Sequence, residues 1–397
     1  MKQNQSHLTK SNLNVLFLPK WYPSKFDEFD GNFIENHAIA LSKVCNIGVV
    51  FVHSDEQVDG GFTVEITEKH GFHEYRIFYQ RPKFGFRLLN QAIGFLRYRK
   101  AQLIGYKKYL QDVGRPNICH VHVNGRSALL ANFLNATEKI PFLITEHWSG
   151  YTKESGVFRG FFRKKFYQFT ATKSSGITCV SNYLKEAVQS HGIESSFSIV
   201  PNVVNTELFQ PVAEQKEGKI RIAHISNLSK TPKNIHLIVE ALHQVGLQRT
   251  DFEVDFIGTG ADEEYLLSQL DKSSLAERYT FHGEVELPQV ASILAKADFM
   301  LLYSQFETQS VVMLESFACG VPVLMPNVGG IPEHVNKERG ILLPPNSAKE
   351  LEKGILEMLH CYQDFDKSKL RNYAVEHFSE GRIRQQFITL YNQILQK

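Results

Sequence analysis

The sequence predicts an α/β chain built from two Rossmann-like domains that face each other across a cleft. Three observations carry this prediction. Short apolar runs alternate with amphipathic stretches through both halves, the rhythm of parallel sheets covered by helices. The length, 397 residues, suits two domains. A polar segment with Pro and Gly, Gln210–Gly218 (QPVAEQKEG), precedes a fresh apolar strand and reads as the linker. The expected division is residues 1–205, then 206–380, with a last helix over 381–397 that carries Ile383, Phe387, Leu390, Tyr391 and Ile394 at helical spacing. That apolar face is expected to pack back onto the first domain.

In order, the first half offers strands near Leu13–Leu18, Ile47–Val52, Asn117–Val121, Phe142–Thr145, Gly176–Val180 and Ser196–Val200. Phe62–Ile66 and Glu74–Tyr79 alternate apolar and polar residues and read as an inserted hairpin. Helices are expected over Phe33–Lys43 and Tyr183–Gln189. The second half offers strands at Ile220–Ile225, Glu253–Ile257, Thr280–Phe281, Phe299–Leu302, Pro322–Met325 and Ile341–Leu342. Between them lie helices at Asn234–Gln244, Glu263–Leu270, Gln289–Lys296 and Val311–Cys319.

Composition narrows the function. Hydrophobic residues make up 43% and charged residues 22%, which excludes disorder as the main state. No window approaches about 18 uninterrupted apolar residues, so no transmembrane span is expected. The opening MKQNQSHLTK is polar with no apolar run behind it, so no secretory signal is expected. Five scattered cysteines form no CxxC pair and point to a reduced, cytoplasmic chain. Net charge is +2, yet the first half is basic and the second acidic, which suits an anionic surface or substrate on the first side.

The densest chemistry lies in FETQSVVMLESFACGVP, residues 306–322. Ser310 is a natural N-cap, so Glu307 sits in a loop and Glu315 inside the helix. The amides of Thr308, Gln309, Ser310 and Val311 then form an exposed helix N-terminus, which suits phosphate. A loop carboxylate there can grip sugar hydroxyls, and a helical one can take a ribose diol. His147, in ITEHWSGY, follows an apolar strand and is placed at the carboxyl edge of the sheet, where open α/β sheets bind ligands. Gly31 precedes a helix and permits close backbone approach.

The stretch FETQSVVMLESFACGVPVLMPNVGGIPEHV resembles the E-x7-E signature of retaining nucleotide-sugar glycosyltransferases with the GT-B fold, the large group typified by bacterial mannosyl- and glucosyltransferases. The resemblance covers nearly the whole chain. It implies that Glu307 contacts the donor sugar, that Glu315 contacts the nucleotide ribose, and that His147 lies near the reacting sugar and donor phosphate. ISNLSKTPKNIHLIVEAL resembles the strand, loop and helix that bring an Arg and a Lys to the donor pyrophosphate. Lys233 matches that Lys; Asn227 stands at the Arg position, and Lys230 is placed to restore the charge. LFLPKWYPSKFDEFDGNFIENHAIAL resembles the family's first strand and glycine loop, with Gly31–Asn32 where two glycines are usual. Thr308, Gln309 and Ser310 replace the usual Gly-Phe-Gly, which implies a narrower, more polar sugar pocket. VPNVVNTELF resembles the family's interdomain turn, with Asn205 for the usual Asp, a structural position.

The function implied is transfer of a hexose, with retention, from a nucleoside diphosphate sugar to a glycan or lipid-linked acceptor in surface polysaccharide synthesis. No enzymic nucleophile, cofactor or metal is implied, since the leaving phosphate itself helps deprotonate the acceptor. Rivals remain: an epimerase of the same fold, a nicotinamide-dependent oxidoreductase using Gly258 and Gly260 of IGTGADEE, and a non-catalytic binding module. Two further motifs are read as structural. Asp364 and Asp366 form a DxD triplet in a polar helical region, and His120 with His122 form an HxH pair with no third ligand evident. Residues 81–110 hold eight Lys and Arg, no acid, and interleaved Phe84, Phe86, Phe95 and Tyr98; FRGFFRKKF, residues 158–166, repeats the mixture. Such tracts suit an anionic membrane surface, which would make the protein peripheral at the inner face of the cytoplasmic membrane, or a solvated basic helix. No nucleic-acid partner is expected.

Overall fold

The structure, a computed structural model, describes residues 12–212 and 218–396. Residues 1–10 of the polar opening and residues 213–217 of the expected linker lie outside the described residues.

The first sheet contains β1 (Asn14–Pro19), β2 (Asn46–Ser54), β3 (Phe62–Lys69), β4 (Phe72–Tyr79), β5 (Ile118–His122), β6 (Phe142–Glu146), β7 (Gly176–Cys179) and β8 (Phe197–Ile199). Their spatial order is β3-β4-β2-β1-β5-β6-β7-β8, parallel except for the β3–β4 hairpin at one edge. Helices α1 (Asn32–Ser42), α2 (Arg87–Asp112), α3 (Ala128–Glu138), α4 (Phe161–Ala171) and α5 (Asn182–Ser190) belong to the same half. The second sheet contains β9 (Ile220–Ile225), β10 (Phe252–Ile257), β11 (Tyr279–Gly283), β12 (Phe299–Leu301), β13 (Val323–Pro326) and β14 (Gly340–Leu343). Its order is β11-β10-β9-β12-β13-β14, all parallel. Helices α6 (Ile235–Gln248), α7 (Glu263–Leu270), α8 (Leu287–Lys296), α9 (Val311–Ala318), α10 (Ala348–Cys361), α11 (Lys367–Phe378) and α12 (Glu380–Leu395) complete the chain.

The burial pattern explains why both sheets are sandwiched. In β1, Val15 and Phe17 enter one core while Leu16 and Leu18 enter the core on the opposite face. In β9, Ile222 and Ala223 divide in the same way. A strand buried on both faces must be apolar throughout, which is why these strands read as unbroken apolar runs. Each sheet reverses its order between two neighbours, β1 and β5 in the first and β9 and β12 in the second, and ligands bind outside the carboxyl ends of strands at such points.

Helix α12 leaves the second half. Ile383, Phe387 and Tyr391 are fully buried in a core with Val15, Phe17, Ile34 and Leu41. The chain therefore crosses between the halves twice, and the crossings run side by side: the Val204 amide donates to the Phe378 carbonyl at 2.9 Å, and Val204 bridges Ser379. Arg371 ties the first crossing down, donating to the Thr206 carbonyl at 2.6 Å and the Ala318 carbonyl at 2.9 Å. Of the DxD pair, Asp366 serves the second half structurally, since its carboxylate caps α11 by accepting from the Ser368 and Lys369 amides.

The return of α12 makes a stability prediction. Phe387 packs edge-on against His37 and His120. Phe387→Ala should cost about 3–5 kcal/mol in urea unfolding, as for other buried aromatics. An unchanged midpoint would show that α12 contributes nothing to the first domain.

Candidate functional site

The two switch points open on one cavity of about 580 Å³ between the sheets. Nine of the ten residues singled out from sequence line it: His147, Asn227, Lys233, Glu307, Thr308, Gln309, Ser310, Val311 and Glu315. Gly31 is not among them, though its neighbours Phe29, Asn32 and Phe33 are. Gly31 adopts φ 74°, and a Cβ there would lie 2.5 Å from the Trp21 carbonyl. Its role is to let the loop pack on Trp21 and aim α1 at the cleft.

The loop after β12 is shaped by its neighbour. Gly329 and Gly330 press on it so closely that a Cβ would stand 1.8 Å from the Glu307 carbonyl oxygen or 2.2 Å from that of Thr308. The Gly330 amide donates to the Glu307 carbonyl at 3.2 Å. Glu307 then faces Lys233, whose ammonium donates to its carboxylate at 2.6 Å. Ser310 caps α9, its hydroxyl accepting from the Met313 amide at 3.4 Å. Among the described residues no hydrogen bond uses the amides of Thr308 to Val311, so they are free to meet an anion.

The Thr-Gln-Ser sequence also reaches across to the other half. The Thr308 hydroxyl donates to the His147 carbonyl at 3.2 Å, and the Ser181 hydroxyl donates to the Thr308 carbonyl at 2.7 Å. The Gln309 side-chain oxygen accepts from the Asn202 amide at 2.7 Å. Glu333 accepts from the Asn182 and Tyr183 amides at 2.9 and 2.8 Å, capping α5 of the other half. Polar side chains thus join the halves along one edge of the cleft. Sequence reading did not find this role, because the partners lie more than 100 residues away.

Lys230 corrects an expectation. Its ammonium sits 3.5 Å above the Tyr265 ring and its amide donates to Asp262, and it does not line the cavity. It does not replace the Arg that Asn227 displaces. Gly258 and Gly260 also find a local explanation, for a Cβ on either would strike the carbonyl of Ser226 or Leu228. The glycines let the β10 turn pack against the β9 loop. His37 is the histidine that sequence reading passed over. It is fully buried on α1, beside His122 and His147. Burial holds all three of these imidazoles below their ordinary range.

Glu315 is buried and has no ion-pair partner among the described residues; burial pushes its carboxyl up to about 7. Glu146, held by the Asn124 amide and the Tyr151 hydroxyl, is also pushed up by burial to about 7. A carboxyl raised in the folded state adds stability in acid, and that contribution is lost as pH rises through about 7. Glu315→Gln should therefore raise the unliganded protein's stability near pH 8.5 by about 1–3 kcal/mol, the difference fading towards pH 5. Thermal melts across that range test this; a constant offset would deny the raised value.

The halves of the chain match two family models in tandem, Glycosyltransferase Family 4 over residues 49–208 and Glycosyl transferases group 1 over residues 205–377. An uncharacterized glycosyltransferase of Methanocaldococcus jannaschii is 26% identical over 59% of this chain and 61% of its own length. The N-acetyl-alpha-D-glucosaminyl L-malate synthase of Bacillus anthracis is 28% identical over 48% of this chain and 49% of its own. The chain thus spans about half to three-fifths of these curated relatives. Solved structures align over nearly all of it: sucrose-phosphate synthase from Thermosynechococcus elongatus, 17% identical with TM-score 0.77, covers 97% of this chain and 99% of that one. HepE of Anabaena in complex with UDP, 16% identical with TM-score 0.70, covers 96% and 100%. This protein thus pairs a Glycosyltransferase Family 4 segment in its first half with a group 1 glycosyltransferase segment in its second, on the GT-B fold.

Proposed function

We propose that the protein transfers a hexose, with retention, from a nucleoside diphosphate sugar to a glycan or lipid-linked saccharide, in surface polysaccharide synthesis. The observation that carries this reading is the convergence of Glu307, Lys233, Glu315, His147 and the free amides at the start of α9 on one cavity. Its volume, about 580 Å³, lies in the range of ligand sites of this class. Neither the epimerase nor the oxidoreductase alternative gains from the comparisons.

In this reading the ribose diol lies against Glu315, which accepts its hydroxyls. The diphosphate lies across the α9 amides and Lys233. Glu307, now paired with Lys233, takes the sugar hydroxyls once the diphosphate recruits the ammonium. His147 borders the sugar from the other half. The acceptor oxygen bonds to the anomeric carbon on the face from which the diphosphate departs, and the acceptor proton passes to the leaving phosphate oxygen. No enzymic nucleophile takes part. The chain's contribution is placement and stabilisation of the departing charge by Lys233 and the amides, without a metal ion on the diphosphate.

Two substitutions test the assignment. Glu315→Gln should weaken nucleoside diphosphate binding by about 1 kcal/mol, read by calorimetry. Lys233→Ala should lower turnover by roughly 100-fold, as loss of a charge-stabilising donor does. Unchanged nucleotide affinity in the first would remove Glu315 from the ribose site, and unchanged turnover in the second would remove Lys233 from the phosphate site.

A lipid-facing acceptor side is supported by exposed apolar side chains among basic ones. Phe84 and Phe86 just before α2 and Leu88 and Leu96 in its first half are exposed, as are Phe161 and Phe162 on α4, beside Arg87, Arg97, Arg163 and Lys165. No described helix is long and apolar enough to cross a membrane. Each basic residue near an anionic surface contributes about 1 kcal/mol, screened by salt. The protein should sediment with anionic vesicles at low salt, and replacement of Arg97, Arg99, Lys100, Lys107 and Lys108 by Gln should abolish this. Failure of the unmodified protein to sediment would favour a soluble acceptor.

A further inference from the structure

We propose that His37, His122 and His147 form a binding site for a divalent transition cation of the zinc class, on the first-domain side of the cleft. The three rings come from separate elements: His37 from α1, His122 from the end of β5 and His147 from just beyond β6. Their centres form a nearly equilateral triangle, 5.7, 5.5 and 5.6 Å on its sides. Three imidazoles on one tetrahedral zinc place their ring centres roughly 5 Å apart, given bonds of about 2.0–2.1 Å. His122 Nδ1 and His147 Nε2 stand 3.3 Å apart, close to the separation of about 3.3 Å that such bonds impose on two ligand atoms.

The hydrogen bonds point the same way. His37 Nε2 lies 3.2 Å from the Pro201 carbonyl, so it is the donor and leaves Nδ1 bare. That arrangement, a ring nitrogen fixed by a backbone carbonyl, is how metal-binding histidines are oriented. His37 Nδ1 is buried and unpartnered among the described residues, and the facing nitrogens of the other two rings, His122 Nδ1 and His147 Nε2, meet each other in a hydrogen bond that a bound ion would replace. His120 is nearby but spent, one nitrogen on the Tyr391 hydroxyl and the other on Thr145, both at 2.6 Å. A ligand atom from each of the three histidines lies within 4.8 Å of the others. Closing to a bound set therefore needs side-chain movement of the order of 1 Å.

The donor set decides the class of ion. Neutral imidazoles suit zinc, cobalt, nickel and copper, whereas magnesium, calcium and manganese take oxygen ligands. The ion is thus distinct from any that would accompany a diphosphate. Because His147 also lines the cleft, water can supply a fourth ligand.

The test uses the full chain, stripped with chelator and dialysed against zinc. We expect one equivalent retained by elemental analysis and a higher melting temperature with zinc. His37→Gln and His122→Gln should each lower retained zinc at least tenfold and abolish the shift, while His360→Gln, on exposed α10 surface, keeps both. No retention by the folded protein, or equal retention in both variants, overturns the site. Should a variant fail to fold, cobalt-loaded wild type decides. Strong visible absorption of a tetrahedral nitrogen site supports the proposal, and weak octahedral bands overturn it. These readouts do not depend on glycosyl transfer, so either reading can fail without the other.

Discussion

The site depends on the close approach of two backbones, the Gly329–Gly330 turn and the loop that carries Glu307 and Thr308. A side chain at Gly329 would occupy the space of the Glu307 carbonyl, so the loop can take its shape only against a bare backbone. Everything downstream inherits that position. Glu307 meets Lys233 across the cleft floor, α9 begins where its amides face the cavity, and Thr308 and Gln309 reach the other half. The same turn carries Glu333, which caps α5. One glycine pair therefore sets both the inside of the pocket and the seam along its edge.

Burial of charge in this pocket follows a division of labour. Lys233 and Glu307 neutralise each other, so neither stands alone in a cavity that is partly closed to water. Glu315 has no such partner among the described residues and carries the cost of its own desolvation. A group that is unsatisfied in the empty protein and satisfied by a ligand is a common signature of a binding position, because selection for stability alone would remove it.

Much of this was legible in the sequence, and the parts that were not share a cause. The alternation of strands and helices is local, and β1, β9 and β12 lie within a residue or two of their expected places because a doubly buried strand leaves an unbroken apolar run. Glu307, Ser310 and Glu315 were legible because they lie on one loop and one helix. Lys230 was misplaced because a loop lysine's direction depends on a tertiary partner, here the Tyr265 ring. His37 was invisible because its neighbours His122 and His147 are 85 and 110 positions away, with no fixed spacing to betray them. Gln309 hides for the same reason, its partner being the Asn202 backbone.

The paired crossings at Val204 and Phe378–Ser379 have a mechanical consequence. Two chain segments lying side by side define a single axle. Rotation about that line is soft, while twisting or sliding of one half over the other strains both segments at once. Opening and closing thus form one coordinate, along which every gap across the cleft widens or narrows together. The seam bonds of Thr308, Gln309 and Glu333 act on that coordinate as a clasp that holds the two halves at one separation.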